Sequence, residues 1–354
     1  MINLKLKSIQ CLCVSFIALF AILVTASSLV AKTDKNTFNF KYPSWESPGS
    51  WLNENMYFWW PRRVQELTKG QVTFNEFPGG TLSEGFDHYP NVRDGVIAFA
   101  PTAGAYTIDT LPLLSVLDLP EWWQDHEYSI YLEGLNHLLN NGLQEYFHDK
   151  GIHAFAICPL DRYTFWTTKK SGPVREPKDA KGMKIRSPGG IASETLVSVG
   201  ANPVTLSTGD VYTALQRGII DGITLTSTSV VSLGLVPALD YWTPQALGTK
   251  ATILIIGNYE TYKNLPPSIQ NAMDKAGEEM QEQWWTWMTE FLKNEAKEAA
   301  DNNNVKIIEL DTESKEKFEE KQEKVWEDWK SKYGSVYGGK GNEFINVLKK
   351  YKNR

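Results

Sequence analysis

The sequence predicts a mixed α/β protein made of two α/β units and finished by a long helix. Three observations predict it. Strands and helices alternate over residues 37–102, the same alternation restarts near residue 150, and apolar residues recur at helical spacing from Ser268 to Asp301. Alternation of this kind marks a sheet faced by helices. At 354 residues, 42% hydrophobic and 22% charged, the chain is long and apolar enough for about two domains. A net charge of −6 excludes a generic basic nucleic-acid binder.

The elements follow in order. TFNFKY (37–42) alternates apolar and polar residues as a first strand does, PSWESPGS is a turn, and 51–68 reads as a helix ending at Lys69-Gly70. QVTFNEF (71–77) is a second strand closed by PGG, 83–94 is helical, and VIAFAPT (96–102) is a buried-type strand. In the second unit IHAFAICPL (152–160) and RYTFWTTKK (162–170) read as two extended runs, and KGMKIRSPGG (181–190) as a strand ending in a glycine turn. A helix over 191–199, NPVTL, a helix over 209–217 and IIDGITL complete that unit. TILIIG (252–257) is an apolar strand that arrives late enough to return to the earlier sheet.

In the last third Ile269, Met273, Ala276, Met280, Trp284, Trp287 and Phe291 share one helix face. About 34 residues at 1.5 Å each give roughly 50 Å, which reads as a strut across both units rather than a packing helix of one. The Lys/Glu-rich stretch beyond it reads as a solvated helical tail. The expected division is residues 1–31 as a leader, 35–161 with 249–267 as one domain, 162–248 as the second, 268–303 as the bridging helix and 304–354 as a helical end.

The leader reading rests on Lys5 and Lys7, the apolar run Cys11–Val24 broken only by Ser15, and the small-residue exit TASSLVA. Together these make a cleavable secretory signal, with an uncleaved anchor as the alternative. Its removal takes two lysines and no acid, so the remainder is more acidic still. It also takes Cys11 and Cys13, leaving Cys158 as the single thiol, so no internal disulfide is expected. Cys158 lies in an apolar run and reads as a buried, inert thiol.

KGMKIRSPGG, GANPV (200–204) and GDVYTALQRGIIDG (209–222) follow one another in an order that resembles the solute-binding proteins of tripartite ATP-independent periplasmic (TRAP) transporters, the family of the C4-dicarboxylate receptors. LPLLSVLDLP (111–120) resembles the family's close of the first domain, and NYETYKNLPPSIQNAMDKA (258–276) its lead-in to the long helix. The resemblance implies a two-domain periplasmic binding protein fold with a hinge of strand crossings and a long helix bridging both domains. It implies a monomeric periplasmic receptor that captures a small organic anion and hands it to the membrane permease subunits. No enzymatic activity, cofactor, metal or nucleic acid is implied.

Arg186 ends a strand just before a glycine turn and a helix, where side chains of α/β sheets face the ligand crevice. Its planar fork suits a carboxylate, and the resemblance places it on the family's clamping arginine; an ordinary surface ion pair is the bland reading. The chain departs from the family twenty positions upstream, where Trp166 stands in place of a second arginine and Arg162 comes four residues too early. Leu225 and Thr226 occupy the family's polar ligand neighbourhood after Asp221-Gly222, one apolar and one a hydroxyl donor. Strand ends add Trp45, Phe86, Thr102 and Trp242 as candidate contacts, though with thirteen tryptophans packing competes for each. These residues suit a carboxylate with an apolar or aromatic body.

Three rivals remain on the residues. An exported hydrolase would need a motif, and neither GxSxG nor HExxH occurs; His148 and His153 stand five apart and read as surface residues. A tryptophan-rich carbohydrate module would be a β-sandwich, against the alternation seen here. A ligand sensor for a membrane signalling protein would share the fold and differ only in its partner.

Overall fold

The computed structural model describes residues 37–120 and 128–352, and the expected leader lies outside them. β1 (Phe38–Pro43) and β2 (Val72–Phe77) pair in parallel from Phe38 opposite Val72 to Pro43 opposite Phe77. Parallel neighbours need a crossover, and the helix Trp59–Leu67 supplies it while burying Trp60 and Val64. β3 (Phe99–Ala103) lies against β1, the Phe40 and Phe99 rings 4.8 Å apart, and pairs antiparallel with β9 (Lys250–Asn258). β9 is the late apolar strand, and it sits between β3 and β4 (Ile152–Thr167).

β4 (Ile152–Thr167) joins the two halves of the molecule. Its first part pairs antiparallel with β9, from Ile152 opposite Asn258 to Arg162 opposite Lys250. Its second part pairs with β7 (Gly222–Thr226) and β8 (Tyr241–Thr243). β5 (Lys184–Ser187) lies parallel to β7 and to β6 (Asn202–Thr205), and β10 (Lys306–Ile307) parallel to β8. The two runs expected at 152–160 and 162–170 are therefore one 16-residue strand, roughly 50 Å long. The register with β9 shifts between Ala154 and Ala156 and again between Pro159 and Arg162. At the second shift the Asp161 carboxylate accepts from the Ser227 and Thr228 amides and from Thr228 Oγ1, which ties the start of the helix Ser227–Ser232 to β4.

The long helix runs over Pro267–Phe291 and continues through a π turn, Leu292–Ala296, into Lys297–Asn302. The expected apolar stripe is buried from Ile269 to Trp284, but after it Met288 is buried while Trp287 is half-buried against Trp59. The helix crosses the exposed edge of β4. Gln281 Oε1 accepts from the Ile157 amide at 2.6 Å and Trp284 Nε1 donates to the Pro159 carbonyl, so the strand's outer polar groups are met by helix side chains. A Cβ on Gly277 would lie 1.9 Å from the Phe155 carbonyl oxygen, so only glycine admits this approach. The π turn packs on the helix Ser227–Ser232, so the run touches the regions on both sides of the register shift.

The Lys/Glu-rich tail differs from its expected solvated state on one face. Its helix Thr312–Tyr333 buries Phe318, Gln322, Val325, Trp326, Trp329 and Tyr333. Gln322 bonds Gly248 N and the Ala246 carbonyl, and Trp326 and Trp329 donate to the Pro120 carbonyl and Ser115 Oγ. His148 and His153, read from sequence as surface residues, face each other with ring nitrogens 3.0 Å apart, and His153 bonds Asp274 on the long helix at 2.9 Å. Cys158 is buried, which drives its thiol pKa upward as expected of an inert cysteine. Among the described residues no helix is long and apolar enough to cross a membrane.

Candidate functional site

Strand ends and the middle of β4 converge on a narrow cavity of ≈ 30 Å³. Trp45 and Glu46, just beyond the end of β1, line it together with Tyr57. Leu225, Thr226 and Ser229 line it where β7 passes into the helix Ser227–Ser232. Tyr106, Tyr163, Pro188 and Thr208 add aromatic and polar lining, and Leu160, Ala103, Ala251 and Ile253 add apolar lining.

Arg186 lies in β5 and is fully buried. Its Nε and Nη2 donate to the Leu206 carbonyl at 3.1 and 2.8 Å, and Nη1 has no partner. Among the described residues no carboxylate pairs with it. A buried cation without a counter-ion is costly, and a donor left unmet inside a protein asks for an explanation. The guanidinium stands behind the cavity wall, close to Tyr106 and Tyr163. Burial raises both phenols, and the Arg186 charge opposes that rise in each.

The turn after Arg186 brings the two regions into contact. Gly189 and Gly190 have φ of 105° and 55°, and a Cβ on Gly190 would meet Ala105 Cα at 2.9 Å. Side chains there would push the helix Gly190–Ser198 away from the Gly104–Tyr106 turn, and with it the ring of Tyr106.

Of the candidates read from sequence, Trp45, Leu225 and Thr226 line the cavity and Arg186 stands next to its tyrosines. Trp166 is fully buried and stacks on Trp242 at 4.6 Å and 3°, where β4 and β8 are in register. That pair lies outside the lining because Trp166 is three residues past Tyr163, about 10 Å along the strand. Trp242 donates to Thr164 Oγ1, while Trp166 Nε1 is unmet. Phe86 is one step removed, packed on Tyr106 at 4.3 Å. Thr102 is buried within β3 opposite Leu254, and Arg162 sits at the register shift opposite Lys250; neither is in the lining.

Glu46, Tyr57, Tyr106, Tyr163 and Ser229 were not singled out from sequence. Glu46 is 1% exposed, and burial pushes its carboxyl up to about 8, against a hydrogen bond from Ser232 Oγ at 2.9 Å that lowers it. Its backbone is held by the Gly79 amide and Asn53 Nδ2, both donating to its carbonyl. A second buried carboxyl, Asp118, faces Gly104, and burial pushes it up to about 8 as well, opposed by Thr252.

Unfolded carboxyls titrate near 4, so between about pH 4 and 8 the unfolded chain releases a proton that folded Asp118 keeps. Its contribution to stability is thus present in acid and lost as pH rises toward 8. Asp118→Asn should therefore gain in Tm relative to wild type between pH 5 and pH 8, by several degrees at roughly 2–4 °C per kcal/mol. A difference that stays flat across that range would show that Asp118 is ionised in the fold.

The family described as bacterial extracellular solute-binding protein, family 7, matches residues 50–332. A solute-binding protein of Albidiferax ferrireducens is 29% identical over 174 residues, 49% of each chain. The 2,3-diketo-L-gulonate-binding periplasmic protein of Escherichia coli is 29% identical over 163 residues, 45% of this chain and 47% of its own. The chain thus spans about half the length of these relatives. Among solved structures, a Bordetella pertussis extracytoplasmic solute receptor binding pyroglutamic acid aligns with a TM-score of 0.78 at 18% identity, over 88% of this chain and 100% of its own. A marine metagenome TRAP solute-binding protein specific for aromatic acid ligands, in complex with 3-hydroxybenzoate, aligns with 0.79 at 20% identity, over 90% and 98%. At these identities the likeness is one of fold, and the fold is the two-domain α/β binding-protein fold.

Proposed function

The chain belongs to family 7 of the bacterial extracellular solute-binding proteins, and on that premise we propose that it captures an organic acid between its two domains and delivers it to a TRAP membrane permease. The observation that carries the reading is Arg186, a buried cation whose Nη1 has no partner, beside a cavity lined mostly by aromatic and apolar side chains with Glu46 as its one carboxyl. The ligand's carboxylate takes that free donor, and closure of the domains strips water from the pair, which strengthens it. Trp45, Leu225 and the tyrosines select the acid's body. The two solved receptors above carry pyroglutamic acid and 3-hydroxybenzoate, both carboxylic acids with a ring.

In this reading residues 1–31 direct the chain out of the cytoplasm, the domains meet at residues 161–162 and 248–249, and closure bends β4 at its register shift. The protein works as a monomer and performs no chemistry on what it binds. Trp166 and Trp242 act behind the cavity as packing that fixes β4 and β8.

The test is thermal unfolding of the purified protein, refolded free of carried ligand, against C4-dicarboxylates, 2-oxo acids, aromatic carboxylates, sulfonates and neutral sugars. A ligand at a hundredfold its Kd adds about 2.7 kcal/mol, a readily seen shift. A shift with one class of carboxylate supports the receptor reading. Stabilisation by a neutral sugar alone overturns the clamp.

A further inference from the structure

We propose that the acid this protein binds also carries a cationic N–H group, and that Glu46 receives it. This rests on the receptor reading above and names its ligand class. Glu46 is buried in the cavity wall, its backbone carbonyl held by Asn53 Nδ2 and its carboxyl by Ser232 Oγ. Oε2 takes a hydrogen bond from Ser232 Oγ, whereas Oε1 takes none from any described residue. Tyr57 and Tyr106 stand near enough for Glu46 to raise their hydroxyls further, after burial itself. No lysine or arginine is among the cavity-lining residues.

The wall by Arg186 has the opposite deficit, a donor with nothing to accept it. Tyr106 lines the cavity together with Glu46, and the Arg186 charge behind the wall acts on the same phenol. Buried polar groups are almost always paired, so a site with one of each is complementary to a ligand bearing an acceptor and a donor. A carboxylate answers Arg186. An ammonium or amidinium answers Glu46 and holds it ionised, since an opposite charge favours the charged form of a buried carboxyl. Arg186 and ionised Glu46 together carry no net charge, which fits a zwitterion. A plain monoanion would leave Glu46 desolvated with one oxygen unmet.

Ring-matched probes separate these cases. Piperidine-2-, 3- and 4-carboxylate carry an ammonium that cyclohexanecarboxylate lacks, and the three isomers scan its distance from the carboxylate. Calorimetric titration of the ligand-free protein should show at least one isomer binding about tenfold or more tighter than cyclohexanecarboxylate, because a site built for a polar group rejects the analogue without it. Glu46→Gln, which keeps the shape and the Ser232 contact, should erase that preference, retain cyclohexanecarboxylate binding and keep a Tm at least equal to wild type. Arg186→Ala should weaken every acid alike.

Cyclohexanecarboxylate binding as tightly as every piperidine isomer overturns the inference, and so does a preference that survives Glu46→Gln. Either result, with acids still lost in Arg186→Ala, leaves the receptor reading standing. Absence of binding by all four acids and by the wider acid panel removes both.

Discussion

Arg186→Ala is expected to weaken binding of the cognate acid at least thirtyfold, measured by titration of ligand-free protein. The guanidinium is fully buried, two of its nitrogens are held by the Leu206 carbonyl, and the third has no hydrogen-bond partner. Removing one partner of a desolvated charge pair costs about 2 kcal/mol or more, because the carboxylate would enter the cavity without its counter-charge. Arg186→Lys should bind nearly as poorly. A single ammonium cannot keep the Leu206 carbonyl and reach the ligand with a second planar donor. Both variants should still fold, since the backbone of the strand pairs on both sides whatever the side chain at 186. Affinity unchanged in Arg186→Ala would remove the clamp from the account.

Gly277→Ala is expected to have the largest effect on stability. In an ordinary helix interior this change stabilises by about 0.5–1 kcal/mol. Here the added Cβ would sit 1.9 Å from the Phe155 carbonyl oxygen and 2.5 Å from its carbon. Those are backbone atoms of β4, whose neighbours Ala154 and Ala156 are paired with Ile256 and Ile255 of β9, so the strand cannot step aside cheaply. Overpacking typically costs 1–3 kcal/mol and more where backbone must move. A net loss of roughly 3 kcal/mol and a Tm several degrees lower are expected. Gly209→Ala, where the nearest atom is 4.0 Å away, is the control and should leave Tm unchanged. A Gly277→Ala protein melting with the control would show that the helix does not lie this close to the strand.

Much of this architecture is legible in the residues. Alternation placed the early strands, helical spacing found the long helix, and Arg186 stood out by its position before a glycine turn. What escaped depended on partners far away in sequence. β4 read as two runs because Pro159 and Asp161 interrupt its pattern, and its continuity comes from β9 and β7, some 60 to 100 residues downstream. Trp166 was a fair candidate by residue type, but which cavity a strand residue meets depends on how far along the strand it lies, and its ring went to Trp242. Glu46 gave no sign at all. A glutamate in a WES turn looks solvated, and only Asn53 and Ser232 closing over it make it a buried carboxyl. In the tail, the abundance of lysine and glutamate hid a buried row beginning at Phe318.

The position of β9 has a consequence for how the molecule comes together. β3 pairs only with β9 among the described strands, and the first part of β4 has no other partner either. Neither ladder can form until residues 250–258 have been made, when more than two thirds of the chain already exists. The order of synthesis is therefore not the order of folding. β3 and the first part of β4 wait for a segment that arrives after β5, β6 and β7, and such non-local closure is slow. Until then Phe99, Phe155 and Trp60 have no finished core to enter, which is the interval in which the chain is most exposed to aggregation.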